Sequence, residues 1–348
     1  IQRLKGKEEP YCMVANINGD PRTHMAFCWF TNEGVTSGKV QLIQGENATA
    51  SDFDSGVGVI TLDATPTVTR ALNYAVSTSG ILKATGLDRR TKFTYVSHKA
   101  LADNLTPGAR YFYRVGYEGH WSDVATFRTK PQQNAEYSFI YMSDSHIMDR
   151  EYIDNARWCS EAVAQNEPDV SFCVFPGDFV ETGTQSNSEW EWERWFEEAI
   201  RPVIMKMPII PTDGNHDDSE NLNYTYHFNT DNAFNIRSSI KPQFDGITYS
   251  FVYGDVLFLV YSFQDYWRGL YSYANHTSTY LSNDLGNWFR EQVAAHPNVK
   301  YRVGLVHKNV FSGSGHQKDS ETDLFRAVML PIMKECEIDL VLQGHDHC

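Results

Sequence analysis

Five apolar stretches in this sequence are each followed at once by residues of the types that bind metal ions. These residues are aspartates, histidines and one asparagine. The five groups are Asp144-Ser145-His146, Asp178, Asn215-His216-Asp217, His307 and His345-Asp346-His347. If the apolar stretches are strands of open α/β sheets, all five groups lie at the carboxyl ends of strands, which is where ligands bind in such folds. Ligands of these types suit metals of intermediate hardness such as zinc, manganese or iron.

Asp178 follows the apolar run 170–175 and is the carboxylate central to this set. The economical arrangement is therefore a pair of metal ions that share it. Two metals about 3.5–4 Å apart can clamp the attacking and leaving oxygens of an in-line displacement at phosphorus. Water bound to such a pair loses a proton near neutral pH and becomes the nucleophile, so no serine or cysteine nucleophile is needed. The residues thus predict hydrolysis of a small phosphorylated substrate by attack of metal hydroxide.

Residues 137–348 alternate between strand-like and helix-like patterns, as βαβ units do. The candidate strands are 137–142, 170–175, 207–211, 301–306 and 338–342, and the candidate helices are 150–165, 189–200, 279–295 and 321–335. Runs 247–253 and 255–262 predict a hairpin inserted in the series. The aromatic residues of 189–200 are expected to pack on a sheet. We therefore expect an α/β domain, with sheets sandwiched by helices, from residue 137 onward.

Residues 1–130 show no competing helical periodicity and are predicted to be all-β. Short runs rich in Val, Thr, Tyr and Phe between turn residues favour a sandwich of about seven strands. The stretch 101–115 resembles the turn into a late strand of a fibronectin type III-like sandwich. The polar segment 131–136 is the expected linker. Since the sequence ends one residue after His347, we expect the second domain to be truncated there, with further strands in the intact protein.

Composition argues against a surface that binds nucleic acid and against a segment that spans a membrane. The 348 residues carry a formal net charge of −14 with no block of like charges, so a surface for nucleic-acid phosphates is not expected. No run of about 18 apolar residues occurs, so no transmembrane segment is predicted. The first residues, which lack Met and a signal-type apolar region, are typical of a processed or trimmed start. The sequence leaves the oligomeric state open.

Sequons and cysteines both point to the secretory route. Four Asn-x-Ser/Thr sequons, at Asn47, Asn104, Asn223 and Asn275, lie in polar stretches that suit N-linked glycans. The six cysteines are even in number, as expected for disulfides. We therefore expect a protein that is secreted, displayed at the cell surface, or delivered to the lumen of a lysosome or vacuole.

One disulfide is predicted from the position of a turn. Cys12 and Cys28 lie symmetrically about the turn 18–21, so they would face each other across a hairpin. The pairing of the other cysteines is left open, and these are Cys159, Cys173, Cys336 and Cys348.

Taken in order, the motifs of residues 136–348 resemble those of the calcineurin-like metallophosphoesterases. They are Asp-x-His, Gly-Asp-x-x-Glu, Gly-Asn-His-Asp, a lone His after a strand, and Gly-His-x-His. Residues 10–130 resemble the fibronectin-like N-terminal domain of purple acid phosphatases. The resemblance implies a secreted dinuclear enzyme similar to purple acid phosphatases, with two ions of Fe, Zn or Mn. Its expected substrates are phosphate monoesters, and diesters and nucleotides are left open.

The resemblance also implies a role for each motif residue. Asp144, His146 and His347 would hold the first metal, Asn215, His307 and His345 the second, and Asp178 would bridge them. His216 would sit over the leaving group as a general acid or hydrogen-bond donor. Glu181 would orient His216, with Asp217 as its substitute. Substrate contacts are expected from Asn215 and from His316, for which a solvated loop histidine is the alternative.

The sequence departs from purple acid phosphatases at two linked positions. They have Asp-x-Gly where this chain has Asp144-Ser145-His146, and a tyrosine ligand where Glu181 stands. Loss of the tyrosinate removes the iron charge-transfer colour, and His146 would fill the vacant coordination position. We therefore expect a colourless or pale protein.

The alternative hypothesis is a non-catalytic extracellular glycoprotein scaffold that retains the metallophosphoesterase fold. The sandwich and the sequons would suit such a protein. The full set of ligands argues for the enzyme, because a scaffold has no need of His216 beside them.

Overall fold

The computed structural model describes most of the chain. The described residues are 8–74, 92–133, 135–167, 169–181, 189–217, 222–231, 234, 246–263, 280–308 and 310–347. Within them the first third is built of strands, and the remainder alternates between strands and helices.

The N-terminal third has two main sheets, a separate two-stranded sheet made by its sixth and seventh strands, and one short helix, α1 (Ala50–Ser55). Its strands are β1 (Tyr11–Asn16), β2 (Met25–Asn32), β3 (Lys39–Gln44), β4 (Ile60–Asp63), β5 (Thr65–Val68), β6 (Leu72–Asn73), β7 (Lys92–Phe93), β8 (Tyr95–Ala102), β9 (Arg110–Tyr117), β10 (His120–Trp121) and β11 (Ala125–Arg128). β1, β2, β8 and β5 are neighbours in one sheet, and β10, β9, β3 and β4 form another, with β11 also on β9. Phe27, Val40 and Tyr113 pack in the core between the two sheets. The predicted sandwich is confirmed, with nine strands in its two sheets among the described residues where about seven were predicted, and α1 is a helix where only strands were predicted.

The rest of the chain is an α/β structure with two sheets. Its strands are β12 (Ile140–Tyr141), β13 (Cys173–Pro176), β14 (Ile209–Thr212), β15 (Tyr249–Tyr253), β16 (Val256–Val260), β17 (Tyr301–Val306) and β18 (Leu340–Gln343). The helices are α2 (Arg150–Asn166), α3 (Glu189–Arg194) with a π-helical continuation (Trp195–Ala199), α4 (Arg201–Ile204), α5 (Leu222–His227), α6 (Gly286–Ala295) after a π-helical turn (Tyr280–Leu285), and α7 (Ser320–Glu335). β12, β13 and β14 run parallel, as do β16, β17 and β18, while β15 and β16 form the predicted hairpin.

Alternation along the strands explains how the layers stack. Phe172 and Val174 face the second sheet, where the Phe172 and Phe258 ring centroids lie 5.6 Å apart. Phe175, one residue on, points to the opposite face and meets Trp195 with ring centroids 5.2 Å apart. Because side chains alternate with a period of two, one strand packs both on the facing sheet and on the outer helices. The two sheets are therefore held face to face.

The two halves of the chain share one sheet. β14 of the second half pairs in parallel with β1 of the first, which gives a seven-stranded sheet in the order β12-β13-β14-β1-β2-β8-β5. The side chain of Asn16 strengthens this junction, because its amide donates to the Ile209 carbonyl at 2.9 Å. The polar segment 131–136 thus separates the halves along the sequence but not in space.

The aromatic helix α3 and its π-helical continuation support the loop that carries Asp178. Trp192 and Trp195 are fully buried, as expected for packing residues. Phe179, the residue after Asp178, lies 4.8 Å from Trp195 and 5.3 Å from Trp192 between ring centroids. Such contacts bury large apolar surfaces in defined orientations. The residue next to Asp178 is therefore fixed in a rigid aromatic core.

The predicted disulfide is wrong. Cys12 and Cys28 are both buried as free thiols in neighbouring strands. Cys28 lies opposite Val14 and Ala26 opposite Asn16, so the hairpin is centred on residue 21, whereas a Cys12–Cys28 pair requires a centre at residue 20. A bulge between Tyr11 and Val14 shifts the register by one residue and does not restore the pair. Cys12 has a φ of 51° at this bulge. The turn signal identified the hairpin, but neither the residue on which it is centred nor the bulge. Cys159, Cys173 and Cys336 are also free, and Cys348 lies outside the described residues.

The four sequons do not share one environment. Asn47 and Asn104 are exposed, as glycan acceptors must be. Asn223 is completely buried in α5, and its side-chain amide donates to Glu189. The prediction of a glycan at Asn223 is therefore wrong for the folded protein, because the polar sequence around it forms a packed helix. Asn275 lies outside the described residues.

Among the described residues, no helix combines the length and apolar character that a membrane crossing requires.

His98 is a fully buried histidine in β8. It stacks on Trp29 with ring centroids 5.2 Å apart, and its Nε2 lies 2.8 Å from the Thr31 hydroxyl. Burial lowers the pKa of His98 to about 4, because the charged imidazolium would lose its hydration.

We predict that His98 makes the stability of the fold depend on pH. The unfolded chain takes up a proton near the ordinary histidine pKa of 6.5, whereas the folded chain does so only near 4. The contribution is therefore complete above pH 6.5 and is lost as pH falls toward 4, to a total of roughly 3 kcal/mol. Urea denaturation at about pH 7 and about pH 4.5 measures it, and His98→Gln should remove this part of the difference. An equal pH dependence in both proteins would contradict the assignment.

Candidate metal centre

The five predicted groups all follow the carboxyl ends of strands. Asp144 and His146 follow β12, Asp178 follows β13, and Asn215 and His216 follow β14. The remaining groups follow β17 and β18 of the second sheet, and these are His307, His345 and His347. Because the two sheets pack face to face, their strand ends bring the groups together at one edge.

Four residues form a first cluster of possible ligands. Asp144, His146, Asp178 and His347 each offer one atom, and these atoms all lie within 4.8 Å of one another. His146 Nε2 lies 2.9 Å from His347 Nε2 and 3.4 Å from Asp178 Oδ2. His347 Nε2 lies 3.3 Å from Asp144 Oδ1. Two imidazole nitrogens and two carboxylates thus converge on one small volume.

A second cluster lies on the other side of Asp178. Asp178, His307 and His345 offer atoms that also lie within 4.8 Å of one another. His307 Nε2 is 3.0 Å from Asp178 Oδ2 and 3.1 Å from Asn215 Oδ1. The Nδ1 of His307 donates to the Pro176 carbonyl at 2.8 Å, which leaves Nε2 as the atom for a ligand. Asp178 therefore belongs to both clusters.

The chemistry of Asp178 fits a bound cation. Its side chain is 1% exposed, and its Oδ1 accepts the His216 backbone N–H at 2.8 Å. No hydrogen bond satisfies Oδ2 among the described residues, although two imidazole nitrogens face it. A buried carboxylate oxygen left this way is costly unless it binds a cation. The donor set of imidazoles, carboxylates and one amide suits zinc, manganese or iron.

The carboxylates and imidazoles of the two clusters shift each other's pKa values. Burial by itself lowers the pKa of His307, but Asp178 outweighs it and raises the pKa to about 9. Burial opposes a similar rise at His146, where Asp144, Asp178 and Glu181 bring the pKa to about 9. Burial and His307 lower the pKa of His345 to about 3. A metal ion would compete with protons at His146 and His307, but not at His345.

Five of the candidate ligands have backbones in the left-handed region, which non-glycine residues rarely adopt. They are Asp144 at φ 56°, His146 at 42°, Asp178 at 52°, His345 at 76° and His347 at 52°. Such strain persists only where the surroundings enforce it, and it concentrates at functional sites. All five of these strained residues belong to the two clusters around Asp178.

Glu181 lies between two histidines, but not as expected. Its carboxylate lies 2.6 Å from His146 Nδ1 and 3.6 Å from His216 Nδ1. His216 Nδ1 is instead 2.7 Å from the Glu181 backbone carbonyl. Glu181 therefore orients His216 through its main chain and His146 through its side chain. The sequence spacing placed the residue correctly but could not show which of its groups makes each contact.

Asp217, considered as a substitute for Glu181, has a different position. It is fully buried, and its carboxylate accepts from backbone N–H groups. Its Oδ1 accepts the N–H groups of Phe179 and Val180 at 2.7 and 3.3 Å, and its Oδ2 those of Asp178 and Gly214 at 2.9 and 2.5 Å. One carboxylate thus ties together the loops after β13 and β14. Nothing in the sequence distinguished this role from that of an orienting acid.

His316 lies at the rim of the second cluster. Its ring centroid is 4.0 Å from that of His345, and its Nδ1 lies 2.8 Å from Asp319 Oδ2. The side chain is 38% exposed, so a ligand can reach it. Sequence spacing identified His316, but its partner Asp319 gave no signal.

Two family models match this sequence. Residues 137–348 match the model described as calcineurin-like phosphoesterase, and residues 10–129 match the model described as purple acid phosphatase, N-terminal domain. The first match covers more than half of the chain. This chain belongs to the calcineurin-like phosphoesterase family. The family uses divalent metals, and the clusters around Asp178 are candidate positions for them.

Two relatives share about a quarter of their aligned residues with this phosphoesterase chain. An uncharacterised protein of Mycobacterium tuberculosis is 23% identical over 268 residues, which cover 72% of this chain and 50% of that protein. Purple acid phosphatase 4 of Arabidopsis thaliana is 25% identical over 240 residues, which cover 65% of this chain and 67% of the plant protein. The chain therefore spans about half the length of the mycobacterial relative. The solved structure of PhoD superposes with a TM-score of 0.57 at 11% identity, covering 97% of this chain and 72% of PhoD, and shows the same fold.

Glycines allow the loops of this phosphoesterase chain to meet. A Cβ on Gly214 would lie 2.1 Å from Asp178 Oδ1 and 2.2 Å from its backbone nitrogen. Gly177 faces Gly214 and has a φ of 83°. A Cβ on Gly344 would lie 2.4 Å from the Ser143 hydroxyl and 2.5 Å from Asp144 Oδ2. Only glycine fits at such approaches.

We predict that Gly214→Ala displaces Asp178. The added methyl overlaps the carboxylate and its backbone, so the loop must move at a cost of about 1–3 kcal/mol in the free energy of unfolding. Misplaced ligands should weaken metal binding by about 10–100-fold, as measured by calorimetric titration. Gly45→Ala is the control, because its Cβ would only make ordinary contact, 3.6 Å from the Asn47 carbonyl. Equal metal affinity in the two variants would show that Asp178 tolerates the methyl.

Proposed function

We propose that this chain is a dinuclear metal-dependent phosphoesterase that hydrolyses phosphate monoesters. The observation that carries the proposal is Asp178 Oδ2, a buried oxygen faced by His146 from one cluster and by His307 from the other. An atom shared in this way is the expected position of a ligand that bridges two cations. Membership of the phosphoesterase family supports the reaction class.

In this proposal each cluster would hold one ion. Asp144, His146 and His347 would be ligands of the first, Asn215, His307 and His345 would be ligands of the second, and Asp178 would be shared by both. Bound there, divalent cations would polarise water and the phosphoryl group and neutralise charge that develops at phosphorus. Asn215 is positioned by its contact with His307 and also contacts the substrate.

His216 is proposed as the general acid. Its ring centroid lies 4.7 Å from that of His146, so it borders the first cluster without belonging to its ligands. The Glu181 carbonyl accepts from Nδ1, which leaves Nε2 to donate to the leaving-group oxygen. The side chain is 33% exposed, as a group that meets substrate must be. Glu181 is proposed to keep both His146 and His216 in place.

His316 is proposed to bind the phosphoryl group on the side of the second cluster. Asp319 fixes its Nδ1, so Nε2 is left for a phosphoryl oxygen. Monoesters are the proposed substrates because several donors surround the position of the phosphoryl group, and a dianionic monoester can accept from all of them. Diesters and nucleotides are the competing substrates in the same assay.

We also propose that the protein acts outside the cytosol, as a glycoprotein. The exposed sequons at Asn47 and Asn104 support this. The proposed units are 1–130, a fibronectin III-like sandwich, and 137–348, the phosphoesterase domain, joined by a linker at 131–136. The shared sheet suggests that the two units fold together.

Turnover of an aryl phosphate tests the proposed function. The metal-loaded protein should release phosphate, and His216→Ala should lower kcat by about 10²–10⁴-fold, as expected for loss of general acid catalysis. Because His216 is not a proposed ligand, this variant should keep its metal content. Asp178→Asn should lose both activity and most of the metal, as determined by elemental analysis.

His296→Ala is the control for His216. His296 is the C-cap of α6, where its Nδ1 hydrogen-bonds to the Gln292 carbonyl, and the variant should retain full activity. A protein that binds no metal and hydrolyses no ester would favour the scaffold hypothesis. If His216→Ala removes metal as well as activity, His216 is a ligand rather than the acid.

We predict that the protein loaded with iron is colourless or pale. Glu181 stands where purple acid phosphatases have the tyrosine ligand, and its carboxylate contacts His146. A carboxylate gives no tyrosinate charge-transfer band. A visible absorption spectrum of the iron-loaded protein measures this directly. A strong band near that of the purple enzymes would mean that a tyrosine of this chain reaches the metal.

A further inference from the structure

One carboxylate fastens the loop that carries His316 to the strand end that carries His345 and His347. Asp346 Oδ1 lies 2.8 Å from the Ser312 hydroxyl and 3.0 Å from the Ser314 hydroxyl. Its Oδ2 accepts the Gly313 backbone N–H at 2.8 Å. Three successive residues of the loop therefore donate to the same side chain.

Ser314, the last of the three residues that bond to Asp346, lies two residues before His316. The histidine begins the 3₁₀ turn Gly315–Lys318 together with Gly315, and its ring lies 4.0 Å from that of His345. At the other end of the turn, Asp319 accepts from His316 Nδ1 at 2.8 Å. In the part of the chain that the structure describes, no hydrogen bond engages His316 Nε2. The loop is thus held on both sides of an imidazole with one nitrogen left for a ligand.

The loop needs such an anchor because its own sequence does not define its conformation. Ser312-Gly313-Ser314-Gly315 contains two glycines, and the backbone around Gly313 and Gly315 is exposed. Glycine loses more conformational freedom on ordering than any other residue. Hydrogen bonds to an ionised carboxylate are among the stronger ones in proteins, so three of them can offset this entropy.

We propose that Asp346 is a positioning residue that anchors this loop and so holds His316 where it binds a phosphoryl oxygen of the substrate. This role rests on the proposed function. His345 and His347 contribute to the ligand clusters, while Asp346 between them holds the loop. The successive residues His345, Asp346 and His347 thus position both the proposed metal ions and the substrate-binding imidazole of His316.

Substrate kinetics of the metal-loaded full chain test the proposal. Asp346→Ala and His316→Ala should each raise KM for an aryl phosphate, and Ki for inorganic phosphate, by about tenfold, the effect of one lost hydrogen bond to a charged group. Their kcat should stay within about threefold of the wild type, and both should keep two metals. Asp346→Asn should stay within about threefold in KM, because serine hydroxyls can accept from its amide while its oxygen accepts from Gly313.

The double variant decides whether Asp346 acts through His316. If it does, Asp346→Ala combined with His316→Ala should be no worse than His316→Ala alone. If the KM increases of the two single variants multiply in the double variant, or if Asp346→Ala loses metal, the proposal is overturned. Asp346 would then support the metal ligands directly. Asp63→Ala is the matched control, since Asp63 is an exposed acid paired only with Lys39 in the described structure.

Hydrogen exchange gives a readout that does not depend on activity. The amide of Gly313 should be protected in the wild type and in Asp346→Asn, and should exchange at least about tenfold faster in Asp346→Ala. Equal exchange in all three would overturn the anchor. Should the wild type show no turnover, the proposed function fails. Weaker binding of inorganic phosphate to Asp346→Ala, measured by calorimetry, would still support the anchor, and unchanged binding would overturn it.

Discussion

The site depends on the way one buried carboxylate is held. Asp178 receives a backbone N–H at Oδ1 and faces imidazole nitrogens at Oδ2. A charge buried to this extent is stable only with cations or strong donors around it. The loops must therefore place positive charge against Oδ2 and keep other donors away from it. The close glycine contact and the clamp by Asp217 both serve this requirement, since they fix the backbone from which the carboxylate projects.

The sequence predicted the site to the extent that it depends on strand ends. An apolar run followed at once by Asp or His can be recognised from the local sequence. Asp144, Asp178 and His307 could therefore be placed at one edge of the sheets from the sequence alone. The ligand-bearing loops after β17 and β18 followed from the same rule. The apolar run 170–175 predicted a buried strand but not its packing, in which Phe172, just before β13, and Phe175, within it, lie on opposite faces of the sheet.

Other features depend on contacts that no local pattern contains. The β1–β2 hairpin is centred one residue beyond the position that a Cys12–Cys28 pair requires, and the turn signal does not define that centre. Asn223 lies in a polar sequence, yet its helix is buried against Glu189. Glu191 belongs to a charged run typical of a solvated helix face, but its buried carboxylate accepts the N–H of Glu181. Each of these depends on contacts between separate elements, which periodicity cannot reveal.

The sheet that joins the two halves also affects how the chain is made. Asn16 and Ile209 are partners separated by 193 positions, so β1 emerges from the ribosome long before the strand that covers its free side. Until then the nascent β-sandwich carries an open hydrogen-bonding edge of the kind that recruits other chains into aggregates. The first half therefore cannot complete its sheet during translation until β14 has been synthesised. A chaperone that shields this edge, or slow release of the chain, would be expected to govern the yield of soluble protein.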